Sequence, residues 1–259
     1  MIDSIIKRNR RAQSHIEVVI AFVIFITFLI FIFTLFNPFK KQINPEFANS
    51  VFNKIRENTS TILSSVSINL NTSSMTNVTS NILTWSCIAI PPIEGFDCSG
   101  TKKLVVKKSN DEIVSGFIDS VDGNKIKFEQ EKDITKTFYT FYCEENLTEN
   151  HGGFVPSTCM ALTKEKNYSL GIVVSRDLFS GDKIKVFNDS YTRNYFNIKS
   201  TFVPSTNDFG VVIVTENELV LNATRKIPRG INVDSQITPI DIVGKDAEIK
   251  KATINIFVW

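Results

Sequence analysis

The chain has 259 residues, of which 42% are hydrophobic and 22% are charged. This composition excludes a disordered chain and a transporter with many spans, and the length suffices for a sizeable core. The formal net charge is +2, of which Lys7, Arg8, Arg10 and Arg11 against Asp3 contribute +3, so the remaining chain carries −1. We therefore expect no nucleic-acid partner.

An apolar run follows the basic N-terminal segment. Residues 18–36 are all apolar except Thr27 and Thr34, whose hydroxyls can bond back to the preceding helical turn. A helix of this length matches a hydrocarbon core of about 30 Å. Four basic residues precede the run, and only Lys40 and Lys41 lie close behind it. The positive-inside rule therefore predicts a single-pass membrane protein with a cytoplasmic N-terminus and an extracellular C-terminal domain.

A cleaved secretory signal peptide is the alternative for this run. Such a peptide would have a shorter apolar core and would end in a small-x-small cleavage site. Asn37, Pro38 and Phe39 stand at that place instead. The sequence therefore favours an apolar helix that is kept on the mature protein.

Residues 10–17, Arg-Arg-Ala-Gln-Ser-His-Ile-Glu, lie directly before the apolar run. This pattern resembles the class III signal peptide of archaeal type IV pilin-like proteins. The resemblance implies that a prepilin peptidase cuts between Ala12 and Gln13, which leaves residues 1–12 as a leader and residues 13–36 as a transmembrane and assembly helix. It also implies that Glu17 pairs with the new amino terminus, Gln13, of a neighbouring subunit.

Two observations qualify this resemblance. Glu17 lies near the helix end, where the alternative is simple solvation at the level of the lipid headgroups. The run contains no glycine and has Ala21 as its one alanine, so close helix packing of the GxxxG type is excluded. A minor or monomeric surface protein therefore fits better than a densely polymerised subunit.

A helical stalk is predicted for residues 37–66. Asn37-Pro38 interrupts the first helix, and Asn44-Pro45-Glu46 is a good start for a second one, with apolar residues at helical spacing after it. Residues 67–81 are rich in Ser, Thr and Asn and predict a polar linker, with an edge strand as the alternative.

The remaining residues, 82–259, contain short β-branched and aromatic runs separated by turn signals. Among the predicted strands are Lys103–Lys107, Lys183–Phe187 and Tyr195–Ile198. The fold class expected is α+β, with a long N-terminal transmembrane and stalk helix followed by an antiparallel β-sandwich-like extracellular head.

Two short segments of the head are nearly repeated. Gly-Asn-Lys-Ile-Lys at 123–127 resembles Gly-Asp-Lys-Ile-Lys at 181–185, and Phe-Val-Pro-Ser-Thr occurs at both 154–158 and 202–206. The offsets within the two pairs differ. A diverged duplication of a β-unit and coincidence both remain open.

All four cysteines, Cys87, Cys98, Cys143 and Cys159, follow the apolar run, and their even number favours two disulfides in an oxidising compartment. Nearest-neighbour pairing would join Cys87 to Cys98 and Cys143 to Cys159, although three connectivities remain open. Zinc binding is the competing interpretation. No CxxC occurs and His151 alone could help, so we predict neither a metal nor a cofactor.

Seven Asn-x-Ser/Thr sequons follow the apolar run and are candidate glycosylation sites. They are at Asn58, Asn71, Asn77, Asn146, Asn167, Asn188 and Asn222.

The expected function follows from the resemblance and from the missing catalytic motifs. The sequence contains neither a nucleophile elbow nor a phosphate-binding loop, so we expect no enzyme. We expect a membrane-anchored, pilin-like surface protein, as a minor pilin or adhesion subunit. Its predicted partners are membrane lipid, prepilin peptidase, other pilin-like subunits and an unidentified ligand of the head. The alternatives are an unassembled single-pass envelope protein with a binding head and a surface hydrolase.

Overall fold

The structure is a computed structural model that describes residues 17–33, 46–71, 84–89, 95–119, 125–130, 136–150, 159–216 and 218–259. The helices within these ranges are α1 at 17–33, α2 (Glu46–Thr59), α3 (Gly181–Arg193) and α4 (Tyr195–Phe202). The strands are β1 (Ser60–Asn71), β2 (Thr84–Ala89), β3 (Lys103–Lys108), β4 (Ile113–Val114), β5 (Gly116–Ile118), β6 (Lys125–Gln130), β7 (Lys136–Glu144), β8 (Met160–Ala161), β9 (Tyr168–Ser180), β10 (Phe209–Thr215), β11 (Leu219–Ala223), β12 (Asp234–Val243) and β13 (Ile249–Val258).

Two sheets organise the molecule. A sheet of nine strands has the order β11-β10-β13-β12-β9-β1-β7-β3-β4, and a sheet of four strands has the order β5-β6-β2-β8. Most neighbouring strands are antiparallel, whereas β12 with β9 and β2 with β8 are parallel over two residue pairs each. The long strands β1 and β9 lie at the centre of the larger sheet and join its two halves.

One face of the larger sheet carries two hydrophobic cores. Val173 and Phe179 lie on the same face of β9 because side chains alternate along a strand. Val173 packs against a core between β1, β7, β3 and the four-stranded sheet, where Phe128, Tyr139 and Phe141 are fully buried. Phe179 belongs to a second core, in which α2, α3 and α4 cover β10 to β13.

A third, smaller cluster lies on the opposite face. Leu63, Val105 and Leu178 alternate with the residues of the two main cores along their strands, and they pack against Val243 and Ala247 at the end of β12 and beyond it. The turn between β12 and β13 therefore covers part of the outer face of β1, β7 and β3.

The helices form where the sequence supplies caps and an apolar stripe. In α2, Glu46 lies in the first turn and Arg56 in the last, which complements the helix dipole, and Val51 and Ile55 are fully buried. α3 begins after Ser180, whose hydroxyl accepts a hydrogen bond from the backbone N–H of Lys183.

The fold class predicted from the sequence is wrong. The described chain is mostly β, with a nine-stranded sheet that carries helices on half of one face and a second sheet on the other half. Within the described residues, no helix has both the length and the apolar character that crossing a membrane requires. This finding overturns the transmembrane stalk and the single-pass membrane localisation.

Local elements also differ from the prediction. β1 (Ser60–Asn71) occupies the end of the expected stalk and the start of the expected linker, because Val66, Ile68 and Leu70 alternate into the core between the two sheets. Lys183–Phe187 and Tyr195–Ile198 were expected to be strands, yet they lie in α3 and α4. The Ser180 cap favours the helical alternative at the first of these segments.

Candidate functional site

Helix α1 presents an apolar surface around its whole circumference. Phe22, Phe25 and Phe28 each expose more than half of their surface, and Leu29 and Ile32 are half-buried. The Thr27 hydroxyl donates to the backbone carbonyl of Val23 at 2.7 Å, so the polar atom in this stretch is satisfied within the helix, as predicted. This helix is a candidate interaction surface.

The residues predicted to control processing and assembly lie around the start of α1. Glu17 is the first described residue of this helix and is exposed. Ala12 and Gln13 lie outside the described residues, so the cut site and the pairing of Gln13 with Glu17 stay predictions.

Two disulfides are present, Cys87–Cys159 and Cys98–Cys143, with Cα–Cα distances of 5.7 Å and 5.5 Å. Nearest-neighbour pairing is therefore incorrect. The parallel pairing of β2 with β8 brings Cys87 beside Cys159, which immediately precedes β8. Long-range strand pairing, which spacing along the chain does not reveal, decides this connectivity.

No three His, Cys, Asp or Glu side chains converge as metal ligands within the described ranges. His151, the histidine considered for zinc, lies outside those ranges.

The sequons differ in their surroundings. Asn58, Asn71 and Asn222 are exposed, whereas Asn146, Asn167 and Asn188 are half-buried, and Asn77 lies outside the described residues. The side-chain amides of Asn146 and Asn58 both donate hydrogen bonds, to Glu144 Oε1 at 2.8 Å and to the Lys54 carbonyl at 2.7 Å, so exposure and not hydrogen bonding separates the candidates. Accessibility therefore favours Asn58, Asn71 and Asn222 among the described candidates.

A cavity of about 460 Å³ lies between α2, α3 and α4. Phe187, Ile198 and Phe202 give it an apolar wall, and the two rim charges have partners elsewhere. Lys183 Nζ donates to the Ser60 carbonyl at 2.8 Å, and Asp182 pairs with Lys245 at 3.4 Å. This cavity offers apolar contacts and amide groups rather than an acid and a base for proton transfer.

A second cavity, of about 440 Å³, lies on the outer face of the nine-stranded sheet. Lys107 and Tyr142 project from β3 and β7, and Asp246 and Glu248 come from the turn between β12 and β13. Lys107 is part of the predicted strand Lys103–Lys107 and has no predicted role. Nothing in the pattern distinguishes it from Lys103, which is exposed on the same strand.

A network of tyrosines joins α3 and α4 to β10. Tyr191 donates to the Phe209 carbonyl at 2.6 Å, and Tyr195 donates to Asp208 Oδ1 at 2.7 Å. Burial raises the pKa of Tyr191 and raises that of Tyr195 to about 12, with the hydrogen bond to Asp208 as the second cause for Tyr195.

The acid in this network is held ionised. Burial pulls the pKa of Asp208 upward, but hydrogen bonds from Lys199 and Tyr195 outweigh that effect and leave the pKa lowered. These groups hold the helices on the sheet, and their donors and acceptors are directed at one another rather than into a cavity.

Comparison with known protein families, curated proteins and solved structures finds no match for the chain. The resemblance to pilin-like proteins therefore rests on residues 10–17 and the apolar run that follows them.

Proposed function

We propose that this protein is a pilin-like assembly subunit, of the minor type, in which α1 packs against the equivalent helices of neighbouring subunits. In this proposal the β-rich head lies outside the helix contacts and is available for adhesion.

The surface of α1 is the observation that carries the proposal. A helix that is apolar around its whole circumference needs an apolar environment on every side. Exposed phenylalanine, isoleucine and valine side chains lie along its full described length. Helices of several neighbouring subunits would provide that environment, whereas one partner would cover a single stripe.

The side chains of α1 also set the kind of packing. Helix axes are about 8–10 Å apart in packed pairs, and large side chains favour the upper end of that range. Residues 17–33 contain no glycine and have Ala21 as their one alanine. This composition supports a loosely packed subunit of low copy number rather than the main building block of a filament.

The two disulfides support a site of action outside the reducing cytosol. Disulfides persist in oxidising compartments and are rare in cytosolic proteins. Both bridges lie in the head, so the head is the part that must reach such a compartment.

Glu17 is assigned the pairing role in assembly. It is an exposed carboxylate at the beginning of an otherwise apolar helix. A charge that enters an apolar helix bundle needs a partner, and the amine of a processed neighbour supplies one.

The test of assembly uses the full chain produced in a host that contains prepilin peptidase. We expect the double variant Phe25→Gln and Phe28→Gln to stay monomeric in light scattering, while the native chain forms larger species. Glutamine retains a good helix propensity, so the change removes apolar surface rather than the helix. Phe138→Gln is the matched control, because Phe138 is an exposed phenylalanine on β7. Unchanged assembly of the double variant would overturn the proposal.

Processing is tested separately by N-terminal sequencing of the purified chain. We expect a start at Gln13, and we expect Glu17→Ala to be processed normally but excluded from assemblies. A start at Met1 or Ile2, or normal incorporation of the variant, would contradict the roles assigned to the leader and to Glu17.

A further inference from the structure

The cavity on the outer face of the nine-stranded sheet combines charges of both signs. It is formed where the turn between β12 and β13 lies over β3 and β7, and Ala247 and Ile249 provide its apolar wall. Its volume of about 440 Å³ is within the range of small-molecule sites.

Lys107 is the unusual residue of this cavity. It is only 8% exposed, although a buried lysine ordinarily has an anionic partner. Lys107 is opposite Thr140 in the strand register, so Tyr142 is its diagonal neighbour, and the ammonium lies 5.7 Å from the centre of the Tyr142 ring. Among the described residues this ring contact is its one interaction, and no carboxylate or carbonyl accepts a hydrogen bond from it.

Carboxylates line the other side of the cavity. Asp246 and Glu248 lie in the turn between β12 and β13, whereas a third lining carboxylate, Asp111, lies in the turn that follows β3, the strand of Lys107. Asp246 Oδ1 accepts from the Glu248 N–H at 3.2 Å, and Glu248 pairs with Lys250 at 3.4 Å. None of these carboxylates forms an ion pair with Lys107.

A ligand that carries both charges would satisfy both sides of the cavity. We propose that this cavity binds a small zwitterion of the amino-acid class, with its carboxylate on Lys107, its ammonium toward Asp246 and Glu248, and its apolar part against Tyr142 and Ile249. Charge complementarity on two sides distinguishes this class from simple anions and simple amines. The inference is independent of the proposed assembly role of α1.

Three ligands that share the leucine side chain test the ammonium and the carboxylate separately. Leucine carries both, N-acetylleucine lacks the amine, and leucinamide lacks the carboxylate. The full chain is titrated with each ligand, up to millimolar ligand concentrations, by calorimetry or NMR. We expect leucine to bind at least about tenfold more tightly than either derivative. Equal binding of leucine and N-acetylleucine, or no binding of leucine, would overturn the proposal.

Variants locate the site. We expect Lys107→Met to weaken leucine binding at least about tenfold and to leave leucinamide binding unchanged, while Lys103→Met, an exposed lysine on the same strand, has no effect. If Lys107→Met does not fold, Asp246→Asn gives a second test, because the exposed asparagine keeps the oxygen that accepts from Glu248. It should weaken leucine and leucinamide but not N-acetylleucine. Unchanged leucine binding in both variants would exclude this cavity as the site.

Discussion

The two halves of the nine-stranded sheet are covered in different ways on the same face. The half with β1, β7, β3 and β4 packs against a second sheet, and the half with β10 to β13 packs against three helices. The Cys98–Cys143 bridge is attached to β7 of the first half, and the Cys87–Cys159 bridge lies in the four-stranded sheet that covers it, so all four cysteines are used on this side of the molecule. The second half is held by apolar packing and by hydrogen bonds from Tyr191 and Tyr195. Each half therefore has its own means of stabilisation.

The largest expected effect comes from removing a disulfide in the half that contains β1, β7, β3 and β4. Cys98→Ala with Cys143→Ala opens a loop with a sequence separation of 45, which the chain-entropy model values at about 4 kcal/mol of unfolding free energy. Urea denaturation under oxidising conditions measures the loss. The double variant should then respond to a reductant only through Cys87–Cys159. A loss below about 1 kcal/mol would mean that this bridge adds little to the strand pairing, the apolar core and the Cys87–Cys159 bridge of the same half.

The helix-covered half depends on its apolar contacts. Ile254 is fully buried in β13 beneath the helices, so Ile254→Ala should lower the free energy of unfolding by roughly 2–5 kcal/mol. Thr253→Ala, at the neighbouring exposed position, is the control and should cost little. Urea denaturation measures both variants. Similar losses in Ile254→Ala and Thr253→Ala would contradict the position of Ile254 in the core beneath the helices.

A glycine tests how tightly the two sheets pack. A Cβ added at Gly116 would lie 2.5 Å from Val106 Cγ2, and Val106 is fully buried. We expect Gly116→Ala to lower the free energy of unfolding by about 1–3 kcal/mol, the usual cost of overpacking.

The control for this change is a double-mutant cycle with Val106→Ala. Removing Cγ2 removes the clash, so Gly116→Ala should cost less in the Val106→Ala background than in the native chain. Additive losses, obtained from urea denaturation of all four proteins, would contradict a direct contact between these positions.

The sequence predicts some parts of this molecule and not others, for physical reasons. Strands such as Lys103–Lys108 show clearly in the β-branched runs, and the even number of cysteines predicted two disulfides. The connectivity depended on the β2–β8 pairing, which joins segments far apart in sequence. The apolar composition of residues 18–36 identified α1 as a candidate site from the sequence alone. The burial of Lys107 could not be predicted in this way, because it depends on a turn at residues 244–248 that is distant from Lys107 in sequence.

The near repeat illustrates the limit of local patterns. Lys125, Ile126 and Lys127 belong to β6, whereas the same Lys-Ile-Lys at residues 183–185 belongs to α3. Ile126 and Ile184 are both buried, so each conformation satisfies the same apolar residue. The Ser180 cap and the packing against α2 and α4 determine the helix at the second copy. Identical tripeptides thus adopt the conformation that their surroundings stabilise, and the segments give no support to a duplicated β-unit.

The smallest expected effect is a dependence of stability on pH that arises from Tyr195 in the helix-covered half. Burial raises the pKa of Tyr195 to about 12 from 10.0, so the folded protein holds this proton more tightly than the unfolded chain. The stabilisation is complete below pH 10 and is lost as the pH rises toward about 12. Other tyrosines also titrate in this range, so the informative quantity is the native chain compared with Tyr195→Phe. We expect the difference between their unfolding free energies, measured by urea denaturation, to shrink over that interval. A constant difference would mean that Tyr195 acts through packing alone, and the hydrogen bond from Tyr191 to the Phe209 carbonyl would then be the remaining tyrosine hydrogen bond between these helices and β10.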